Sequence, residues 1–480
     1  MKKLSLILTA LILSSSLAFA QLYPPKRVFE VGTELTFSAS QNAVNVTDIF
    51  VENLVLDFTK IADGLNGNGL LFDLGADTDF FMNLNLGKRW GVGVFMDANA
   101  SLELGVGQGF WDFLAYGNWD KATNAPQETK FDLSLSLESF LEFGAPIKFG
   151  LKNLGIKVTP SYYLPLAYIP YTSANVILSP GNASNGKTLT ATGEANFNLY
   201  TPVSLNGILS VDENGSLNFD SESLSAMFSD LTSNVGTTAM ELLQNGGISL
   251  AISADYPLFR TLTVGAYADF PLSPGKLAYR TSGTITGTAE VNGLLDTATA
   301  SSSGSSGASS GTSGTSSSGE TSSGASGASG TSSGETGASS DYYKYDYTFS
   351  GISYTELEEA YSVRKPLRFG GEVAWRPFGD WFTIRGMLGY AARNPFGEDW
   401  NWKNSMFMEY SGGVDISLFY ILRLYAQTSY IDKIYAQQFG IGLNLRVFEL
   451  TAKIASSGTS FSQSFGIGGA KAFVGITAGF

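Results

Sequence analysis

The chain contains neither histidine nor cysteine among its 480 residues, and this limits the chemistry that its side chains can perform. Without an imidazole or a thiol it has no Ser-His-Asp triad, no cysteine nucleophile and none of the usual zinc ligand sets. A pair of carboxylates could still serve a glycosidase. However, no substrate-gripping aromatic cluster accompanies the acidic residues. We therefore expect a protein that is not an enzyme and that carries no cofactor and no metal ion.

The ionisable residues follow the polar phase of alternating segments, with acids in the first half of the chain and bases in the second. The acidic positions include Asp73, Asp77, Asp97, Glu103 and Glu138. The basic positions include Arg368, Arg385, Arg423 and Arg446. If this phase faces a lumen, the acidic and the basic residues form two opposed walls. Their charges either create a transverse electric field across a pore, or they form ion pairs with each other and close the pore. A third interpretation is simple polar lining of a wet interior, with charges paired across it.

The acidic residues allow one further interpretation, a calcium site, and they contribute to one exclusion. Asp73, Asp77 and Asp79 offer oxygen ligands that suit Ca²⁺, but their spacing matches no known loop motif. The formal net charge of −14 argues against binding of nucleic acid and against a basic membrane-surface protein.

The segments that carry these charges alternate over lengths typical of membrane strands. From Trp90 to Leu104 the even-numbered residues are mostly apolar, and their odd-numbered neighbours are mostly small or polar. Soluble sandwich strands average about 5–6 residues, whereas a tilted membrane strand needs roughly 9–11. The pattern predicts an all-β fold, a transmembrane antiparallel up-and-down β-barrel of about 14–16 strands. Aromatic residues near predicted strand ends suit interfacial girdles.

The connections between predicted strands are of two kinds. Short ones such as 87–89 alternate with long ones, which fall at 106–130, 169–187, 212–246, 393–406 and 458–469. Barrels place short turns on the periplasmic side and long loops outside. Residues 277–291 and 342–354 also alternate, and we interpret them as an extended hairpin beyond the membrane. This interpretation keeps the insert between them on the outer side.

Both chain ends indicate export to an outer membrane. Lys2 and Lys3, an apolar run and Ala18-Phe19-Ala20 predict a signal peptide over 1–20, with residues 21–480 forming the mature barrel. The last strand keeps one apolar phase as far as the terminal Phe480. This terminal aromatic resembles the signal by which the outer-membrane assembly machinery of Gram-negative-type bacteria recognises barrels. We therefore expect outer-membrane lipid and that machinery as partners.

Three segments break the strand pattern. Residues 47–65 have apolar side chains at helical spacing, including Phe50, Leu54 and Phe58, and we interpret them as a plug or hatch helix. Residues 221–245 also have apolar side chains at helical spacing, which predicts a helix in an extracellular loop. On this helix, Met227, Phe228 and Leu231 could form the entry site for hydrophobic ligands. The insert at 292–341 is nearly all Ser, Gly, Thr and Ala, which predicts a disordered extracellular loop.

With these features in view, the chain resembles the FadL-like family of outer-membrane barrels, which move long-chain fatty acids and other hydrophobic molecules. The resemblance rests on a helical segment near the mature amino end, long strands, a helical extracellular loop and Phe480. It concerns architecture, and it implies fourteen strands. No ligand residue carries over, because Gln41-Asn42-Ala43 lacks the proline of the family's Asn-Pro-Ala hatch motif.

The resemblance implies passive uptake of a hydrophobic small-molecule ligand, such as a long-chain fatty acid. Two alternatives stay open from the sequence. One is a general diffusion porin for polar solutes, and the other is a surface adhesin or structural barrel whose loops do the work.

Overall fold

The structure is a computed structural model of the chain. It describes residues 27–42, 58–65, 67, 69–86, 90–117, 119–120, 125–183, 186–211, 217–220, 222, 244–292, 343–393, 395–396, 406–419, 421–431, 433–445, 447–458, 460–466 and 468–480. Among these residues, no helix is long and apolar enough to cross a membrane.

The main sheet contains eighteen antiparallel strands that close on themselves. Its strands are β1 (Phe29–Gln41), β2 (Leu70–Leu86), β3 (Trp90–Val106), β6 (Thr129–Gly144), β7 (Ile147–Leu151), β8 (Leu154–Ala183), β9 (Gly186–Thr201), β12 (Gly247–Pro257), β13 (Leu262–Pro271), β14 (Gly275–Asn292), β15 (Tyr343–Val363), β16 (Leu367–Trp375), β17 (Phe382–Ala392), β18 (Met406–Leu418), β19 (Leu422–Ile431), β20 (Ile434–Asn444), β21 (Phe448–Gly458) and β22 (Gly469–Gly479). Two short hairpins lie outside it: β4 (Trp119–Asp120) with β5 (Ala125–Pro126), and β10 (Leu209–Val211) with β11 (Leu217–Phe219).

Four pairs of these strands continue one another in the wall, namely β6 with β7, β9 with β12, β13 with β14, and β15 with β16. The result is a closed barrel of fourteen wall strands, which confirms the predicted fold class. Fourteen is also the number that the FadL-like resemblance implies. The predicted hairpin at 277–291 and 342–354 is formed by β14 and β15. These strands prolong β13 and β16 at the end of the barrel opposite Phe29 and Phe480.

The barrel closes where the first wall strand meets the last. β1 pairs with β22 from Glu30 opposite Gly479 to Ser40 opposite Gly469. The Phe480 carbonyl accepts bonds from the Val28 and Phe29 amides, at 2.6 and 3.1 Å. The Phe29 and Phe480 rings lie 5.8 Å apart. We call this end of the barrel the turn end, because the connections after β7, β12, β16, β18 and β20 are short here, and the other the loop end.

The two phases of the strands face opposite surroundings. On β3, Trp90, Val92 and Val94 are 61%, 48% and 48% exposed and form part of a continuous apolar outer face. The alternate residue Asp97 is only partly exposed and points to the interior. An apolar exterior around a charged interior is the arrangement of a membrane barrel.

Two predicted long connections differ from expectation. Residues 169–183, which are predicted to belong to a loop, instead extend β8. Pro170 is tolerated in this strand because it lies at a bulge, where the register with β6 shifts and no amide hydrogen is needed for pairing. Within 106–130 the structure has a helix, α2 (Gln108–Tyr116), where a loop is predicted. The ring of Phe110 lies 5.2 Å from that of Phe131, so packing stabilises the helix.

The described part of the predicted plug segment is helix α1 (Phe58–Gly64). It packs on α2 at the loop end, where Leu70 of β2 is paired with Val106 of β3. We call this contact the cap cluster: Ile61, Leu65 and Leu70 are buried, with Phe58, Val106 and Trp111 against them. Gln108 Nε2 donates to the Ala62 carbonyl at 2.9 Å. Phe50 and Leu54 lie outside the described residues.

Candidate functional site

Three neighbouring wall strands are interrupted at one level of the barrel. β9 ends at Thr201 and its wall position resumes at β12 after residues 202–246. β13 and β14 are separated by 272–274, and β15 and β16 by 364–366. Each interruption contains a proline, Pro202, Pro274 or Pro366. Because proline has no amide hydrogen, it cannot donate to the sheet, and the ladder breaks there. We call this region the wall break.

Apolar and aromatic side chains fill the barrel wall at this break. We call them the aromatic cluster: Phe140, Tyr163, Tyr168, Leu277 and Val363 are buried, with Tyr200 and Tyr361 packed against them. The Tyr361 ring stacks on Tyr200 at 4.1 Å and on Tyr168 at 5.6 Å. Hydroxyl groups at the edges give these rings a polar tip as well as an apolar face. The Tyr163 hydroxyl, for example, donates to the Ser273 carbonyl at 2.6 Å.

A buried ion triad joins the strands across the break. The Lys365 ammonium lies 2.8 Å from a carboxylate oxygen of Glu142 on β6 and 2.9 Å from one of Asp269 on β13. The exposed fractions of these side chains are 13%, 11% and 27%, respectively. One cation therefore holds two carboxylates in a poorly solvated place. Removing it would leave two like charges facing each other, which is costly in such surroundings.

A second ion pair spans the lumen near the aromatic cluster. Arg393 follows β17, yet its Nη1 lies 3.5 Å from Oε2 of Glu103 on β3, six wall strands away. Arg364 holds the same connection, because its Nη1 donates to the Phe396 carbonyl at 3.3 Å and its guanidinium lies over the Phe396 ring. Glu138 is the register partner of Tyr168, beside the aromatic cluster. Arg393 and Phe396, the described ends of this segment after β17, are therefore each held by a contact to another part of the wall.

The remaining bases of the second half pair mainly with carboxylates of the same half. Arg368 lies 3.4 Å from Glu409, Arg385 lies 2.5 Å from Asp415, and Arg423 lies 2.9 Å from Glu449. Arg27 also reaches Glu449, at 3.7 Å. Pairing between nearby strands shortens the reach of these charges, so it favours a paired polar lining over a strong transverse field. Arg446 lies outside the described residues.

The acidic wall places like charges opposite one another. In the register of β2 and β3, Asp73 faces Glu103 and Asp79 faces Asp97. Asp77 interacts electrostatically with Asp97 and with Lys471 of β22, which lies beyond the closure seam. Opposed like charges destabilise a sheet pair, so the nearby cations Lys471 and Arg393 offset repulsion here.

Among the described residues, no group of three or more acidic side chains is arranged to hold a metal ion. The possible calcium site at Asp73, Asp77 and Asp79 therefore finds no support in the geometry. Met227, Phe228 and Leu231, the predicted ligand-entry residues, lie outside the described residues.

The structure adds residues that the sequence pattern does not single out, above all Lys365, Asp269, Arg393, Tyr163, Tyr200 and Tyr361. It also places Tyr168, which the sequence assigns to an interfacial girdle, in the aromatic cluster. The signal that could have located them is the set of X-Pro steps in segments that otherwise alternate. Such a step in a central strand marks an interruption.

The site thus belongs to a closed fourteen-strand transmembrane β-barrel with an interrupted wall. No protein-family model matches the chain, and no curated protein sequence matches it. Among solved structures it is similar to the toluene transporter TodX of P. putida, with 9% identity, 95% of this chain and 91% of that chain covered, and a TM-score of 0.36. It is also similar to the monoaromatic hydrocarbon channel CymD (8% identity, 95% and 89% covered, TM-score 0.37). The translocator domain of the autotransporter NalP from Neisseria meningitidis gives 9% identity, 100% and 94% covered, and a TM-score of 0.29. Similarities this distant give no ligand and no site residue.

Proposed function

We propose that the barrel is a passive outer-membrane channel for hydrophobic small molecules. The observation that supports this most directly is the aromatic cluster, a group of buried apolar and aromatic side chains that share the inward phase of β6 and β8 with Glu138 and Glu142. An apolar ligand binds where hydrophobic and aromatic side chains converge with a few polar groups. Long-chain fatty acids fit this description, since they join an acyl chain to one carboxylate.

The ion pair between Arg393 and Glu103 places two charged side chains beside the aromatic cluster, along which we propose that the ligand passes. It joins the residue after β17 to the facing strand β3 across the lumen, with 3.5 Å between Nη1 and Oε2. A ligand can pass by displacing stacked tyrosine rings, which costs less than removing a backbone strand from the wall. Passage driven by the concentration gradient needs no further machinery in the chain.

A general diffusion porin is the second candidate, and one observation favours it. The second half of the lumen carries three ion pairs between nearby strands, and their arginine side chains are partly exposed, at 18%, 44% and 28%. Such a lining suits water and small polar solutes. The two candidates differ in which solute responds when the aromatic cluster is altered.

Reconstituted barrels can separate the candidates. The wild type and a Tyr200→Ala/Tyr361→Ala variant are placed in vesicles, and uptake of a fluorescent long-chain fatty acid, of toluene and of arabinose is measured. Tyr390→Ala, on the outer face and 45% exposed, is the matched control. We expect apolar uptake to fall several-fold in the double variant and arabinose flux to stay level or rise. Rapid arabinose flux with no saturable apolar uptake in the wild type would favour the porin.

A ligand retained through purification gives an independent measurement. Mass spectrometry of small molecules extracted from the natively purified barrel is expected to find an apolar compound in the wild type and less of it in the double variant.

A further inference from the structure

A row of register partners crosses the barrel wall beside the aromatic cluster. Its members lie on β6, β8, β9, β14 and β15, and they are, in this order, Glu138, Tyr168, Tyr200, Arg280 and Thr355. Residues directly opposite one another on neighbouring antiparallel strands share one face of the sheet. Glu138 is also opposite Ser101, which shares the phase of Asp97 on β3, so the row faces the interior. We call these five residues the register row.

Arg280 has no partner among the residues that the structure describes. None of their carboxylates lies within ion-pair distance of its guanidinium, and its buried Nε finds no hydrogen-bond acceptor. In contrast, Arg368, Arg385 and Arg423 each pair with a carboxylate. Because a charge that is partly removed from water is costly without a counter-charge, the Arg280 guanidinium favours an anion that no described residue supplies.

Arg280 lies at the boundary between a polar and an apolar part of the interior face. Toward the loop end, the same phase of β14 continues with hydroxyl groups. The Ser282 and Ser353 hydroxyls are 2.8 Å apart, and Thr284 Oγ1 donates to Asn196 Oδ1 at 2.6 Å, so these side chains satisfy one another. Toward the turn end lies the aromatic cluster. A cation at such a boundary suits the polar head of a molecule whose apolar part lies on the rings.

The charges around the register row give it a direction. Glu138 is three strands away from Arg280, about 14 Å along the sheet at ~4.8 Å per strand. The guanidinium of Arg393, which also lies near the rings, is already paired with Glu103. An anionic head group therefore meets carboxylates toward β6 and an uncompensated cation at β14, with the tyrosine rings between them.

We propose that Arg280 binds the carboxylate of the ligand while the apolar part of the ligand lies on the rings of Tyr200 and Tyr361. The channel then selects apolar acids over neutral molecules of the same size. A guanidinium suits this task, because its planar fork of donors matches the two oxygens of a carboxylate. This inference rests on the proposed function, since it assigns the head group of the same ligand.

Equilibrium binding of a matched acid and alcohol tests this assignment. Radiolabelled decanoate and decanol are titrated against the full-length barrel in nanodiscs, and binding to empty nanodiscs is subtracted. Arg280→Gln removes the charge, whereas Arg280→Lys keeps the charge but loses the fork. Arg260→Gln, at an exposed position in the turn after β12, removes the same charge elsewhere and is the matched control. Tyr200→Ala/Tyr361→Ala reports on the rings.

We expect Arg280→Gln to raise the dissociation constant of decanoate about tenfold and to leave that of decanol nearly unchanged. Arg280→Lys should have an intermediate effect on decanoate, and Arg260→Gln should have none. Equal decanoate affinity of the wild type and Arg280→Gln would overturn the assignment, and so would an equal loss of both probes, which would indicate a structural role. If Arg280→Gln did not fold, Arg280→Met would give the same comparison.

The same titrations keep this inference separate from the proposed function. Weaker binding of both probes by Tyr200→Ala/Tyr361→Ala would support an apolar site at the aromatic cluster, even if Arg280→Gln bound decanoate normally. If the wild type bound neither probe, the proposed function would be wrong, and the assignment of Arg280 would be wrong with it.

Discussion

Arg393 lies across the lumen from Glu103, with 3.5 Å between Nη1 and Oε2, although five wall strands separate β3 from β17. The pair brings the connection after β17 against the acidic wall, at the level of the aromatic cluster. Two elements of the interior, one formed by charges and one by rings, thus lie beside each other. Changes to either should alter permeation without unfolding the wall.

Breaking this ion pair should widen the lumen. Arg393→Gln is expected to raise single-channel conductance in planar bilayers, because the connection after β17 loses its anchor on β3. Thermal stability should change little, since a pair this exposed contributes at most about 1 kcal/mol. Lys130→Gln, which removes a surface pair with Glu128, is the control. The exchanged pair Arg393→Glu/Glu103→Arg is expected to restore the wild-type conductance, and failure of Arg393→Gln to change it would contradict a narrowing role.

The buried triad should matter for stability instead. Lys365→Met leaves Glu142 and Asp269 without their shared cation, and loss of one partner from a buried ion pair costs about 3–5 kcal/mol. The midpoint of urea unfolding in lipid vesicles should therefore fall. Adding Glu142→Gln and Asp269→Asn is expected to recover most of the loss. Lys276→Met, at an exposed position on β14, is the control and should leave the midpoint unchanged.

Strand pattern made the wall predictable, because the period-two alternation on segments such as Trp90 to Leu104 fixes both the face and the length of a membrane strand. Charged residues of the polar phase also lie in ion pairs, such as those of Arg385 with Asp415 and of Arg423 with Glu449. Which charge pairs with which depends on the register of strands that are distant in sequence. Alternation within one strand carries no information about that register.

The position of the wall break also could not be predicted from the pattern of single strands. Pro274 and Pro366 signal interruptions separately, but the sequence does not reveal that they reach one level of the barrel. That alignment depends on the stagger of β13 against β16, where Asp269 is opposite Arg368. The sequence pattern also predicts strands at 188–200 and 203–211. The first shares one wall position with β12, and the second contributes only β10, which lies outside the barrel, so the wall has fourteen strands rather than sixteen.

The terminal aromatic residue should matter for assembly in the cell more than for stability. Deletion of Phe480 removes the carbonyl that accepts the Val28 and Phe29 amides, and it removes the predicted recognition signal. We expect the amount of folded barrel in the outer membrane to fall several-fold, measured by heat-modifiable migration of membrane fractions on gels. Phe480→Tyr should retain assembly, since the backbone bonds and an aromatic ring remain. Equal assembly of the deletion variant would show that the recognition signal lies elsewhere.

The predicted plug can be tested without disturbing its anchor. Asn42 Nδ2 donates to the Gly69 carbonyl at 2.8 Å and Asn42 Oδ1 accepts the Leu71 amide at 2.7 Å, so the base of the connection between β1 and β2 is fixed outside residues 47–65. Deletion of 47–65 should therefore leave the barrel folded. If this segment obstructs the lumen, the deletion raises conductance well above that of Trp111→Ala, which only loosens the cap cluster. Equal conductance of the deletion variant and the wild type would assign 47–65 to capping of the rim alone.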